Sequence, residues 1–284
     1  MANARPTPRL VLVAGSGRSA LPLPDLAAAA LAGGVDAIQV RMPGVELAAV
    51  REAALAIRGR AGPAVTLLVN GDAALAAELG AGLHLPERAG PAAIAAARES
   101  LGIGAIVGRS VHSPAAAAAS AGADHVLAGH VFPTPSHPGE HPIGLTGLAA
   151  IVAAAPCPVL AIGGIDATNA AAAIRAGASG VAVISAIAWA PDPEAAARRL
   201  RAAMVAALEE RTGMNANAIT LTINGKDVSV PDGWTVHDFL ASKRLSDGMA
   251  IVERNGEILP RAAYGDTLLA AGDRLEIVHA VGGG

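Results

Sequence analysis

Eight short apolar runs, each followed by a stretch rich in alanine, occupy residues 10 to 185: Leu10–Ala14, Ala37–Arg41, Val65–Val69, Gly82–Leu85, Ala105–Arg109, His125–Gly129, Val159–Gly163 and Gly180–Ser185. The runs are continuously apolar and do not alternate with polar residues, the pattern of strands covered on both faces in a parallel sheet. Asp25–Ala32, Glu46–Gly59, Asp72–Leu79, Pro91–Leu101, Pro114–Ala121 and Thr168–Ala176 read as the helices between them. Proline or an acid opens many of these helices and glycine follows, as in Ala32-Gly33, Leu79-Gly80, Ala121-Gly122 and Ala176-Gly177, the expected asymmetry of helix ends. Eight strand–helix units in about 200 residues predict an α/β fold, a (β/α)8 TIM barrel, with a doubly wound open sheet as the structural alternative. The repeated Gly-Ala-x before strands (Gly80-Ala81-Gly82, Gly122-Ala123-Asp124, Gly177-Ala178-Ser179) favours repeated units of one kind.

A last helix from Glu194 to Arg211 is followed by a break, Thr212 to Asn217, in which Met214-Asn215 has the look of a relic start codon from a gene fusion. A different pattern then begins. Ile219–Ile223, the turn Asn224-Gly225 and Asp227–Val230 read as a hairpin. Val236–Ser242 reads as a helix, Met249–Arg254 as a strand, Asn255-Gly256 as a turn, and Arg274–His279 as a last strand running into Val281-Gly282-Gly283-Gly284. The reading is therefore a barrel domain over 1–211, a linker over 212–217 and a small α+β domain over 218–284. Charge changes at the same place. Residues 1–217 hold 15 arginines, 15 acids and no lysine, whereas 218–284 hold six bases and nine acids.

Composition narrows the function. A net charge of −3 and 2% aromatic residues leave neither a basic footprint nor stacking platforms for nucleic acid. One cysteine, Cys157, rules out an intrachain disulfide framework and a cysteine-built zinc site, and reads as a packing residue. No basic-then-apolar leader and no membrane-length apolar run stand in the sequence, so the expectation is a cytoplasmic protein without a membrane partner. Association of several copies is left open.

Strand, turn, strand, helix and two further strands in about 67 residues look like a ubiquitin-like β-grasp domain. The segments Ile223-Asn224-Gly225-Lys226, Thr235-Val236, Ile251–Ile258, Asp273–His279 and the glycine tail resemble the sulfur-carrier protein of thiamine biosynthesis. The resemblance covers all of 218–284. It implies that the carboxylate of Gly284, guided by Gly283, is activated with ATP by an adenylating sulfur-transfer enzyme, becomes a thiocarboxylate, and gives its sulfur to thiazole synthase. Molybdopterin carriers share this fold and the Gly-Gly end.

Residues 9–205 resemble the family of thiamine phosphate synthase and its relative, thiazole tautomerase. The resemblance is carried, in order, by Ile38–Arg41, Leu67–Asn70, Gly82–Leu85, Val107–Ser113, Gly122–Asp124, Gly129–Ser136, Ala161–Ile165 and Gly180–Ser185. Most lie at or beyond the C-terminal end of a predicted strand, where barrel sites are built. Backbone N–H groups at Gly163-Gly164 and Ile184-Ser185 would hold a phosphate. Gln39 and Arg41 would face the mouth, Arg41 pairing with a carboxylate or phosphate. Asn70, Ser110, Thr134 and Ser136 would bind substrate, His84 would be a second acid/base, a hydrogen-bond donor or a packing residue, and the loop Pro133–Pro142, with His137 and His141, could cover the site. His112 and His125 read as structural.

The synthase pattern has a lysine after Gln-x-Arg, Asn-Asp after strand three, Gly-Gln-Glu-Asp after strand four and Thr-x-Thr-Lys after strand six. This chain has Met42-Pro43-Gly44, Asn70-Gly71, Pro86-Glu87-Arg88 and Thr134-Pro135-Ser136-His137. Loss of these charges removes support for a departing diphosphate and its Mg²⁺, with Asp72 and Glu87 as the remaining candidates for a metal. The tautomerase pattern has Gly-His-Val-Phe after strand six, matched by Gly129-His130-Val131-Phe132. That resemblance implies a proton shift, with His130 as general acid/base and neither metal nor cofactor, on a dihydrothiazole carboxylate phosphate that becomes the aromatic carboxythiazole phosphate. The alternatives are a thiamine phosphate synthase joined to the carrier, using Mg²⁺, and a carrier joined to an inactive barrel.

Overall fold

Eight parallel strands close into a barrel in the computed structural model: β1 (Leu10–Ala14), β2 (Ala37–Val40), β3 (Leu67–Asn70), β4 (Gly82–Leu85), β5 (Val107–Val111), β6 (His125–Ala128), β7 (Val159–Ile162) and β8 (Gly180–Val183), with β8 paired back to β1. The structure describes residues 7–15, 18–19, 21–102, 104–136, 138–211, 218–243, 245 and 250–279. The linker 212–217, Met249, His137 and the tail with Gly283 and Gly284 lie outside them. Two compact units divide the chain, Met1–Leu208 and Glu209–Gly284. No helix among the described residues is long and apolar enough to cross a membrane.

The helices outside the barrel are α1 (Leu23–Ala32), α2 (Leu47–Ala61), α3 (Ala73–Glu78), α4 (Pro91–Leu101), α5 (Pro114–Ala118), α6 (Gly144–Ala154), α7 (Ala170–Arg175), α8 (Ser185–Ala188) and α9 (Pro193–Arg211). Their starts follow the local chemistry. Proline stands in the first turn of α1, α4 and α5, and the side chains of Asp72 and Ser113 accept the N–H groups of Leu75 and Ala116 to cap α3 and α5. The strand residues that point outward, such as Leu10, Leu12, Ile38, Leu67 and Val69, pack against helix residues such as Leu26, Ile57 and Ile94 in one large core. The inward ones, including Val11, Val13, Leu127, Leu160 and Ala182, form a second cluster inside the barrel. α9 buries Ala196, Ala197, Leu200, Met204 and Ala207, the three-and-four spacing of one helical face.

The sequence reading named no helix at α6, and it placed the third and fifth strands two residues too early. Val107 pairs with Leu83, and the backbone N–H of Val107 donates to Asp124 Oδ2 at 2.6 Å. Cross-strand register, not the apolar run, sets where β5 begins. The shift brings Ser110 inside the strand.

The second unit is a five-stranded sheet in the order β10-β9-β13-β11-β12, made of β9 (Ala218–Ile223), β10 (Lys226–Pro231), β11 (Ala250–Arg254), β12 (Glu257–Ile258) and β13 (Arg274–His279), with the helix α10 (Val236–Ser242). β9 and β13 run parallel and the other pairs antiparallel. Val236, Phe239 and Leu240 of α10 pack with Leu221, Val252, Leu275 and Tyr264. Both Asn-Gly turns have asparagine at positive φ, 49° at Asn224 and 54° at Asn255, as a two-residue hairpin turn requires. The Asn224 amide also brackets β13, accepting from the Ile277 N–H and donating to its carbonyl. This is the ubiquitin-like β-grasp arrangement.

Candidate active site

β2 and β3 begin the mouth of the barrel. Gln39, 2% exposed, donates its Nε2 to Asn70 Oδ1 at 3.1 Å, which leaves the Asn70 amide N–H groups for a ligand. Arg41 follows β2 and is exposed. Between it and Asn70 lies a cavity of about 240 Å³ walled by Met42, Pro43, Val45 and Leu47. Arg41, Asn70 and the exposed backbone make its lining more polar than apolar. A larger cavity, about 360 Å³, sits at the opposite end of the barrel among Ala76, Gly80, Gly82 and Ala105. No titratable side chain lines it, so it offers no acid/base chemistry.

β4, β5 and β6 add a polar interior. His84, Gly108 and His125 are neighbours in register across the three strands. An added Cβ on Gly108 would stand 2.5 Å from His125 Nε2 and 2.8 Å from His84 Nδ1, so glycine alone leaves room for both rings. The ring centroids are 6.2 Å apart. His84 Nε2 is hydrogen-bonded to Ser110 Oγ at 2.9 Å. Burial, then His125 and Arg41, lower the His84 pKa to about 3; burial lowers that of His125 to about 4, against a small opposing effect of Asp124. Both are neutral at neutral pH. His84 is 1% exposed and hydrogen-bonded to Ser110.

A pH effect on stability follows. Between pH 4 and 6.5 the unfolded chain binds protons on these two histidines that the folded chain does not, so stability falls as pH falls through that window. From neutrality to pH 5 each contributes a loss of about 2 kcal/mol. Chemical denaturation of His125→Leu at pH 7 and pH 5 should show roughly half the wild-type loss; an unchanged loss would refute the assignment.

At the end of β6, His130 is 7% exposed, and the Gly129–His130 peptide is cis. The backbone around it is held on two sides. Val131 and Phe132 donate to the carbonyls of Ile162 and Gly163, at 2.9 and 3.0 Å, while Ile143 donates to the His130 carbonyl at 2.9 Å. Gly163 and Gly164 after β7 have φ of 93° and 67°. A Cβ on Gly163 would lie 2.2 Å from His130 Cβ, and one on Gly164 would lie 2.6 Å from the Pro133 carbonyl. These two glycines thus make the close contact that seats His130. β7 and β8 pair as far as Ile162 and Ala182, and α8 starts at Ser185 with its first N–H groups lacking intrahelical partners. Thr134 is half-buried and Ser136 exposed; the Ser136 N–H donates to Thr134 Oγ1 at 3.3 Å.

Arg109 and Cys157 have structural surroundings, and Glu87 pairs with His112. Arg109, 4% exposed, points away from the interior and donates to the carbonyls of Glu87, Ala116 and Ala119. Glu87 is hydrogen-bonded to His112 through ring and backbone. Cys157 is half-buried, and burial together with Asp124 pushes its thiol up to about 11, which suits a packing residue. Two features escaped the sequence reading: the His84–His125 apposition and the Glu87–His112 pair. Each depends on strand register, and the one available signal was a glycine, Gly108, inside a strand.

The fold and mouth define a two-domain protein, a (β/α)8 barrel with a polar C-terminal face joined to a β-grasp carrier domain. The chain belongs to the thiamine monophosphate synthase family, whose model matches residues 10–187, and it carries a domain of the ThiS family over residues 213–284. It is 45% identical over 194 residues to a thiamine-phosphate synthase of Roseiflexus sp. (strain RS-1), covering 66% of this chain and 81% of that one. It is 43% identical over 193 residues to that of Moorella thermoacetica, covering 66% of this chain and 89% of the relative. Among solved structures, the thiamine phosphate pyrophosphorylase of Pyrococcus furiosus superposes with a TM-score of 0.60 at 32% identity, over 70% of this chain and 96% of that one.

Proposed function

We propose that the barrel is a thiazole tautomerase and that the β-grasp domain carries sulfur as a C-terminal thiocarboxylate. The observation that carries the first half is His130, a nearly buried imidazole locked at the C-terminal end of β6 by Gly163. Converting a dihydrothiazole carboxylate phosphate to its aromatic isomer removes a proton from a saturated ring carbon and adds one to another carbon. An imidazole can both accept and donate a proton, which the two transfers require. Arg41 and the Asn70 amide would hold the carboxylate, and the turns at Gly163-Gly164 and Ile184-Ser185 the phosphate.

A thiamine phosphate synthase would need Mg²⁺ and cations around a diphosphate. The two candidate carboxylates already have protein partners. The Asp72 carboxylate caps α3 at 2.8 Å from the Leu75 N–H, and Glu87 is bonded to His112. Among the described residues no three His, Cys, Asp or Glu side chains gather as metal ligands. The synthase remains the second reading because the relatives above bear that name. Two assays separate them: turnover of pyrimidine diphosphate with thiazole phosphate and Mg²⁺ supports the synthase, and aromatisation of the thiazole synthase product supports the tautomerase.

For the carrier, an adenylating enzyme would join the Gly284 carboxylate to AMP with release of pyrophosphate, and a sulfur nucleophile would then displace AMP. Thiazole synthase would accept the sulfur. The two domains would thus act on either side of one step. Intact-mass analysis after incubation with ATP, the adenylating enzyme and a sulfur donor tests it; an oxygen-to-sulfur change must appear in the C-terminal peptide.

A further inference from the structure

Glu87 and His112 stand at adjacent positions on the barrel mouth, the first just beyond β4 and the second immediately after β5. Gly108 and Ser110 take the inward side of β5, and His112 is the first residue after the strand, one step along the rim from Val111, whose register partner on β6 is Ala128. The pair is built as a unit. Glu87 Oε1 accepts the His112 backbone N–H at 2.9 Å, and Oε2 lies 2.8 Å from ring Nδ1. The Glu87 carbonyl is held in turn by the buried Arg109 guanidinium at 2.7 Å. Burial alone would raise the Glu87 carboxyl, but the hydrogen bonds from His112 and the charges of His112 and Arg109 hold it below its ordinary value. An ionised carboxylate only accepts, so Nδ1 carries the hydrogen and Nε2 is the atom left to exchange a proton. The His112 side chain is 53% exposed, whereas His130 is 7% exposed.

We infer that the Glu87–His112 pair is a second acid/base of the barrel, with His112 Nε2 protonating the carbon that gains hydrogen while His130 deprotonates the ring carbon. The inference rests on the tautomerase reading. His130 takes the proton from the saturated ring carbon, and that C–H electron pair enters the ring. The double bond displaced by it takes a proton from His112 Nε2, while Nδ1 stays hydrogen-bonded to Glu87. Substrate and product have the same atoms and charge; the two imidazoles exchange protonation states and water restores them. A carboxylate-oriented imidazole is the arrangement that fixes a tautomer for such transfers. Two groups also suit a reaction whose two carbons are separate, because one ring at a fixed, buried position reaches both less readily.

The test uses the full chain and the freshly formed product of thiazole synthase. His112→Gln should lower kcat about 10²-fold with KM within about twofold, and Glu87→Gln about tenfold by loosening the tautomer. Both residues are solvent-exposed in part, so melting temperatures should stay near wild type. Added imidazole should restore turnover to His112→Ala. In deuterium oxide the wild type should place deuterium on the carbon that gains hydrogen, while His112→Gln, left with His130 alone, should return some substrate protium there. A wild type that aromatises the substrate beside a His112→Gln variant of equal rate, or one changed in KM only, overturns the pair's role and leaves the tautomerase intact. A wild type without aromatisation overturns both.

Discussion

Replacing His130 with asparagine lowers kcat for aromatisation by about 10²–10⁴, the usual contribution of a positioned general acid/base, and leaves thiocarboxylate formation on the β-grasp domain unchanged. Asparagine keeps a polar group in a nearly buried position and avoids the hole that alanine would leave. The expected KM is close to wild type, because the residues assigned to the carboxylate and phosphate, Arg41, Asn70 and the turn after β7, stay in place. A stopped reaction with unchanged substrate binding is thus the predicted signature. The paired measurement on the carrier guards against general unfolding: the mass change at the C-terminal peptide should match wild type in the same preparation. A His130→Asn variant that aromatises at the wild-type rate would remove His130 from the chemistry. It would move the synthase reading ahead, since the near relatives carry that name.

The barrel was legible because each strand is a short continuous apolar run and each helix has its own start and stop residues, which are local signals. The β-grasp domain was legible for the same reason, through two Asn-Gly turns whose positive φ leaves few alternatives. α6 was missed because its first turn, Gly144-Leu145-Thr146-Gly147, is made of weak helix formers, and packing of Leu148 and Ile151 against the barrel decides it. Of the proposed site residues, Gln39 and Arg41 were expected at the mouth from their place at the end of a strand, whereas His130 was singled out by the resemblance carried by Gly129-His130-Val131-Phe132. What could not be named were the relations between strands. The sequence shows His84, Gly108 and His125 as three separate residues; only the register makes them neighbours. Glu87 and His112 are likewise 25 residues apart in sequence and hydrogen-bonded in the fold.

Such a relation between strands also makes Gly163 the most exacting backbone position of the site. Two costs of a side chain there can be separated. Its φ of 93° is one an L-residue adopts with strain, of about 1–2 kcal/mol. The added Cβ would also stand 2.2 Å from His130 Cβ and 2.6 Å from its Cα, and since the second is backbone, no rotamer change relieves it. Overpacking of that kind adds about 1–3 kcal/mol. Gly62, at the end of α2, has nearly the same φ, 91°, with nothing within 4 Å of an added Cβ. Gly62→Ala should therefore show the strain alone, about 1–2 kcal/mol, with full tautomerase activity. Gly163→Ala should cost about 3 kcal/mol and lower kcat about 10²-fold, because the barrel can accept the methyl only by moving His130 about an ångström, and displacements of that size cost about that much. Denaturant titration and steady-state kinetics on the two variants decide the matter. Equal stability and activity losses in both would mean that Gly163 supplies only its φ, and that His130 is seated by the Ile143 and Ile162 backbone contacts instead.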